Sequence, residues 1–560
     1  MSHPWHLKIL LQKFRKTSTL FDRFLFAILG VGLVLLALFL ATLFWFSLTN
    51  RSVTTLLPAE KTIATLELED LTLPPRLSQE TVLDLLGLTA VVKGSFGLDM
   101  ATLQSKLPQG RMGLALLDDG TPENKLVLFL RSPTHGKALA FMKTLALPDE
   151  TLTIFGDKKH PIYSYPKGQA FVFGFVGPYL FVAKQPETIQ LIQQVDQQKL
   201  PSLDSDLQFQ KSLANLPRKA WARGYLNLQA LSFGAGSQLG QTVAPLKSIL
   251  NHLTLTVRKE YNGFHFNTLL SVQPDALALS KGETAKSTPA LRGLADSLGS
   301  KNLAAYLGGS NLSAEWQNTL ETLSQLNPSY GIILEGILRA QVSKVFGDDI
   351  SLGDDLYPLF EGEYAVALER LEGDALGVKL LLKHSDRTFA EIKLKKMLAG
   401  FRMLAAQFSP RVKSVTLPDG TESKELVADA TRLTESDETY KGTEIHCLEI
   451  TDSPYGLCTA VTDQLVILSN HPESIRETID LGESPKFVLS QSQAYRQSLS
   501  NLSAVNDEVT FVDLANATPL LKAIPAAAIL GNLLDPFEAV TWVKHVFTDG
   551  VSTEGYLLLK

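Results

Sequence analysis

Apolar and polar positions along this chain change period in an order that predicts strands and helices by turns, and the order occurs twice. Thr62 to Leu68 alternates as a strand, Gln79 to Leu86 and Asp99 to Leu107 carry helical spacing, and Met112 to Leu117 and Lys125 to Arg131 predict two strands joined through Asp118-Asp119-Gly120. Ala138, Phe141, Met142 and Leu145 then share one face of a helix. A hairpin follows, Ile162 to Tyr165 and Ala170 to Phe175, turning at Pro166-Lys167-Gly168, where Pro fixes one dihedral and Gly tolerates a positive one. Tyr179 to Ala183 predicts a strand. Pro186 beside Glu187 suits a helix start, where the missing N–H costs little and the dipole favours an acid. Asp206 to Leu216 reads as a second helix, and Tyr225 to Leu228, Thr254 to Arg258 and Phe264 to Leu270 as closing strands.

The second occurrence keeps this register. Pro186 and Pro472 stand 286 positions apart, and without a gap the same spacing sets Glu187 and Ile189 on Glu473 and Ile475, and Ser212 to Leu216 on Ser498 to Leu502. It also sets His160 on His446. Gly110 to Leu116 meets Gly362 to Leu368, and Leu126 to Leu130 meets Val378 to Leu382, at a spacing of 252. The change of spacing implies an insertion in the second copy. It falls at about 399–440, where Asp419-Gly420 and a run of Glu, Asp, Ser and Thr read as an extended loop. The chain closes with an apolar helix at Ala528 to Leu534 and strands at Val540 to Phe547 and Gly555 to Leu559. The expected fold class is α+β: tandem related domains at 52–275 and 301–560, each an antiparallel sheet packed with helices, joined by a Pro-, Gly- and Ser-containing linker at 276–300.

Residues 24–48 form an uncharged apolar run long enough, at about 25 residues, to cross a bilayer as one transmembrane helix. Lys8, Lys13, Arg15, Lys16 and Arg23 precede it and Arg51 follows, so the positive-inside bias leaves 1–23 as a cytoplasmic basic segment. The single-pass anchor would then sit in the inner, cytoplasmic membrane with the body periplasmic or extracytoplasmic. Trp5 to Lys16 interleaves apolar and basic residues as an interfacial helix would, although a short positive flank that only sets topology reads the same way.

At 560 residues, 45% hydrophobic and 20% charged, the remainder is a folded, multi-domain body. Residues 1–51 hold six Lys or Arg and one Asp, or +5, so the net charge of −6 leaves −11 for the rest. So acidic a body excludes general nucleic-acid binding.

The chain has two cysteines, Cys447 and Cys458. They flank Asp452-Ser453-Pro454 at positions that face each other across a hairpin, so a disulfide is expected in an exported body and a pair of buried thiols is the alternative. At the 286 spacing the first copy carries Pro161 and Val172 there.

The chemistry-bearing motifs are weak. Ser164-Tyr165-Pro166-Lys167 matches a Ser-x-x-Lys spacing, but on a turn rather than a helix start and without a Lys-Thr-Gly partner, since Lys441-Gly442-Thr443 has the wrong order. His3 and His6 sit in a short tail, and His160 and His446 fit duplicated structural positions better than metal ligands. Asp348-Asp349 and Asp354-Asp355 lack the regular spacing of a calcium loop. No catalytic residue, cofactor or metal site is therefore expected, and P-loop, dinucleotide and zincin signatures are absent from the sequence.

The layout resembles a bacterial family of membrane-anchored extracytoplasmic proteins known only as a domain of unknown function. The resembling stretches are Leu107-Pro108-Gln109-Gly110 through Ala115-Leu116, the helix with Ala138 and Phe141, Tyr179 to Ile189, and Phe209 to Leu216 before Tyr225. That resemblance implies location and fold type and transfers no site. The expectation is a non-enzymatic envelope protein that binds or scaffolds, held to the membrane by one helix, with an envelope protein as partner; the alternative is a carrier of lipid or another apolar ligand.

Overall fold

The apolar runs become strands because each covers its neighbours while handing its backbone N–H and C=O groups to the ladder. The computed structural model describes residues 46–47, 52–68, 88–99, 102–103, 111–118, 125–132, 135–144, 152–156, 160–164, 171–214, 216–217, 219–230 and 250–272 in the first half of the chain. In the second half it describes 293–313, 316–317, 320, 328–372, 375–408, 411–416, 418, 421–427, 430–451, 456–503, 508–524, 531, 534–547 and 550–560. By contacts, one unit runs to Ala278 and includes His545–Leu559, and another runs from Leu279 to Lys544. Both mix helices with antiparallel strands, an α+β architecture.

The first unit contains strands β1 (Thr62–Leu68), β2 (Met112–Leu117), β3 (Lys125–Arg131), β4 (Thr153–Phe155), β5 (Ile162–Ser164), β6 (Val172–Val176), β7 (Tyr179–Ala183), β8 (Ala222–Asn227), β9 (Leu250–Glu260) and β10 (Gly263–Val272). Its helices are α1 (Leu88–Phe96), α2 (His135–Thr144), α3 (Pro186–Asp196) and α4 (Leu207–Ala214). The ladder order is β4-β5-β6-β7-β3-β2-β1-β8-β9-β10, antiparallel throughout. The final strand of the chain, Gly550–Leu559, pairs with β10. β7 is buried at every position, which is why Tyr179 to Ala183 reads as a continuous apolar run rather than an alternation.

The second unit contains β11 (Leu303–Ser310), α5 (Pro328–Phe346), β12 (Glu363–Arg370), β13 (Leu376–Lys383), α6 (Arg387–Phe408), β14 (Arg411–Thr416) and β15 (Glu422–Val427). It continues with β16 (Leu433–Tyr440), β17 (Thr443–Ile450), β18 (Gly456–Val461), β19 (Leu465–Ser469), α7 (Pro472–Glu483), α8 (Gln493–Ser500), β20 (Glu508–Asp513), α9 (Leu514–Ala523) and β21 (Phe537–Phe547). Its main ladder runs β16-β17-β18-β19-β13-β12-β11-β20-β21, the pairing order of the first unit's nine strands from β4 to β9. Leu128 faces Val182 in one, and Leu380 faces Leu468 in the other.

Several expectations are corrected. Residues 399–440 are not an extended loop. α6 continues to Phe408 because Leu398, Phe401 and Ala405 recur at helical spacing and pack against Leu448 and Ile450. β14 and β15 then form a separate hairpin, and β16 takes the edge of the sheet. Acidic β16 is ordered because its carboxylates have partners: Glu435 meets Arg402 at 2.8 Å, Asp437 meets His446 at 2.7 Å, and Glu438 meets Arg476.

Strand pairing also shifts the correspondence at the repeated hairpin by three residues. Tyr163 opposite Phe173 answers to His446 opposite Thr459, so His160 and His446 are not equivalent. Ser164 and Val172, rather than Pro161 and Val172, stand where Cys447 and Cys458 do. The end of the expected linker is structured, with Leu294, Ala295 and Leu298 buried around a short turn at Gly293–Ser297. α1 and α9 are helices that the apolar spacing does not predict.

Of the expected transmembrane helix, only Phe46 and Ser47 are described, as a two-residue strand paired with β2; the rest of 24–48 lies outside the described residues. Among the described residues no helix is long and apolar enough to cross a membrane. The expected helix at 79–86, the turn Pro166–Gly168, Asp452-Ser453-Pro454 and most of Ala528 to Leu534 also lie outside them.

Candidate functional site

α6 begins at Arg387 because the Asp386 carboxylate accepts the Phe389 N–H at 3.0 Å, the geometry of an N-cap. Leu394 and Leu398 anchor the helix over β17 and β18, and Gly400 admits the end of α5, since a methyl there would overlap the Phe346 carbonyl. Between α6 and the sheet lies a groove of about 220 Å³, lined on the helix side by Arg387, Glu391 and Lys395 and on the sheet side by Glu444, His446 and Thr459. Lys441-Gly442 closes the hairpin at its rim with φ of 49° and 79°, the two positive dihedrals of a type I′ turn.

The ionic contacts set which groups face the groove. Arg387 is held to Glu391 and Asp463, both at 2.8 Å, and these hydrogen bonds raise its pKa further. Lys393 and Lys396 turn to Asp355, each at 2.7 Å, leaving Lys395, the third of the cluster, without an ion partner among the described residues. Burial pushes the Asp355 carboxyl up, but the two lysines and the Ser351 N–H outweigh it and hold the group at about 2. This inward turn also explains why the four aspartates at 348–355 do not converge: Asp348 hydrogen-bonds Ser343 while Asp355 serves α6.

His446 places Nδ1 2.7 Å from Asp437 and Nε2 3.6 Å from Glu444, a carboxylate at each ring nitrogen. Thr459 lies opposite His446 in the ladder but makes no hydrogen bond to it, so among the described residues the His446–Asp437 pair has no hydroxyl attached. One residue along, Cys447 and Cys458 face each other and are joined by a disulfide. Because side chains alternate, the bridge is buried on one face of the hairpin while its neighbours His446 and Thr459 present the other. The bridge therefore fixes the strands that floor the groove.

Two further clusters lie in the interior. Lys379, with no exposed surface, meets Glu369 at 2.6 Å and Glu477 at 3.2 Å, and Ser474 donates to Glu369 at 2.6 Å. The signal was legible: a lysine within the apolar run Val378 to Leu382 has to find an acid. In the first unit Ser212 and His252 are hydrogen-bonded, both buried, and burial pushes the imidazole down to about 4 against the opposing charge of Asp206. Ser212 also donates to the Gln208 carbonyl at 3.0 Å, so its hydroxyl serves the helix. His160 stands apart from this pair, with Gln197 beside its Nδ1 at 3.4 Å. Ser164 is a ladder residue of β5, and Lys167 lies outside the described residues.

Residues 100–400 match a family model described as "Protein of unknown function (DUF3352)". No curated protein matches the chain. A solved structure described as "Structure of crystal form III of TP0453" is similar over 43% of this chain and 89% of that one, at 8% identity and a TM-score of 0.24.

Proposed function

The chain belongs to DUF3352, a family of proteins of unknown function, and we propose that it is a non-enzymatic, membrane-anchored protein of the cell envelope built from two copies of one α+β module. The uncharged run at 24–48 and the basic residues before it support the anchor and its direction. Duplication is supported by the common strand order and by the spacing of 286 between α3 and α7 and between α4 and α8.

The observation that carries the functional reading is where the copies differ. Around the groove under α6, the second has a longer helix, an added hairpin and a disulfide-fixed floor, and five of the eleven lining residues are ionisable. Such a lining recognises a polar or charged group of an envelope component. The same lining does not favour the alternative of an apolar-ligand carrier at this groove.

The test is capture of envelope components by the full-length protein in its own membrane, with chemical cross-linking, alongside Lys395→Glu and His446→Ala. A component enriched on the wild type and reduced about tenfold on both variants is expected; equal recovery on all three sinks the groove as the site. A C-terminal reporter that folds only after export should be active, and an inactive one removes the envelope assignment.

A further inference from the structure

α5 is apolar on both faces, the outward one included. Ile332, Ile333 and Ile337 are 70%, 57% and 53% exposed, and Gly336 and Ala340 lie on the same outward arc. No charged side chain interrupts this arc over those turns. The nearest ionic groups, Glu335 and Arg339, flank it and neutralise each other at 2.6 Å, and exposed Lys344 follows one turn beyond Ala340 with no ion partner among the described residues. The opposite face is ordinary, with Leu338, Val342 and Phe346 packed in the core.

We propose that this face of α5 lies on the lipid bilayer, its isoleucines in the acyl boundary and Lys344 at the phosphate headgroups. This rests on the membrane anchor proposed above. Two considerations select the bilayer over a second copy of the chain. Three part-exposed isoleucines offer roughly 300 Å², well short of the roughly 800 Å² per partner of a stable protein interface. A bilayer needs no such area when a covalent tether at 24–48 already holds the body near its surface, because the second contact is then intramolecular. Isoleucines with a terminal lysine are the composition of an interfacial helix.

The experiment uses the full chain, reconstituted into liposomes of phosphatidylcholine and phosphatidylglycerol, with Gly336→Cys carrying an environment-sensitive dye. Gly336 has open space around its Cα, so the label displaces nothing. Thr434→Cys, exposed on β16, is the control. The expected result is a several-fold rise and blue shift of emission at 336, none at 434, and loss of the rise at 336 in the Ile332→Ser/Ile333→Ser/Ile337→Ser background. Protein that co-floats with the vesicles while the 336 label stays aqueous overturns this inference and leaves the anchor intact. Protein that does not co-float overturns both. A rise at 336 that needs no lipid and grows with protein concentration assigns the face to a second copy and overturns the bilayer assignment.

Discussion

Leu117, Val127 and Leu191 in the first unit and Glu369, Lys379 and Glu477 in the second occupy the same places on β2 and β12, β3 and β13, and α3 and α7. One set is apolar, while the other closes a buried lysine between two glutamates. The same contrast recurs at the groove. In the first unit Tyr163 stacks on Phe173 with ring centres 5.1 Å apart, where the second has His446 opposite Thr459. His135 opens α2 and bonds the Gly177 carbonyl at 2.9 Å, whereas Arg387 opens α6 and bonds Asp463 at 2.8 Å. The helix start meets the same turn position in both units, on a backbone carbonyl in the first and on a carboxylate side chain in the second. The ladder and shared apolar positions therefore carry the architecture, and side-chain chemistry at these places differs between the units.

The buried lysine is the largest lever on that contrast. Lys379→Val alone leaves Glu369 buried with Ser474 and no counter-charge, and the second unit should lose about 3–5 kcal/mol. Adding Glu369→Leu and Glu477→Leu, which completes the first unit's set, should bring stability back to within about 1 kcal/mol of the wild type. Hydrogen exchange of β12 and β13 in graded urea measures both. If the single variant is as stable as the triple, the charges are not coupled and the comparison fails.

The units should also respond to acid in different windows. His252 is held near 4 in the fold and titrates near 6.5 when unfolded, so the unfolded chain takes up the proton first. The first unit therefore keeps its full stability above pH 6.5 and loses on the order of 3 kcal/mol as pH falls to 4. Its place in the second unit is Ala539, which does not titrate. There the sensitive group is Asp355, whose value of about 2 lies below the ordinary 3.8; its contribution is present above 3.8 and is lost as pH falls through 2. Comparing His252→Asn with the wild type at each pH, by exchange in β8 and β9, should show a difference that changes between pH 6.5 and 4; a constant difference would reject the assignment.

A smaller effect comes from the disulfide. Replacing both cysteines with serine should cost about 2 kcal/mol, the low end of the usual range, because paired β17 and β18 already restrict the reduced hairpin. The loss should appear as faster exchange in these strands and weaker capture through the groove. The first unit, with Ser164 and Val172 there, should gain nothing from added reductant.

How much of this was readable beforehand follows from how each feature is encoded. Ungapped spacing placed α3, α4, α7 and α8, because helix starts and apolar periods are local signals. The His160 and His446 equivalence failed because hairpin lengths differ by three residues, and only the ladder reveals a slip within an otherwise constant spacing. The loop expected at 399–440 failed because composition cannot show that Glu435 and Glu438 will meet Arg402 and Arg476. The groove was illegible for a related reason: it joins α6 to β17 and β18 across some fifty residues, and none of its lining residues forms a motif. The α5 face was hidden too, since Gly331 to Leu338 is apolar enough to read as core and only packing decides which side is covered.

The finest test is at Asp513 and Asn227, which occupy one place at the ends of β20 and β8. Asn227 accepts N–H bonds from Gln229 and Ala230 at 3.0 and 3.2 Å; Asp513 accepts them from Ala515 and Asn516 at 2.9 and 3.1 Å and caps α9. Burial raises the Asp513 carboxyl above its usual range despite those two bonds, so the ionised form is disfavoured there and stability falls as pH rises through the raised value. Asp513→Ala should cost about 1 kcal/mol by leaving both amides without a side-chain acceptor. Asp513→Asn keeps the acceptor and removes the charge, so it should lie within about 0.5 kcal/mol of the wild type and abolish that pH dependence. If Asn is as damaging as Ala, the carboxylate charge rather than the shared cap geometry holds α9, and the equivalence of the two sites is only a matter of position.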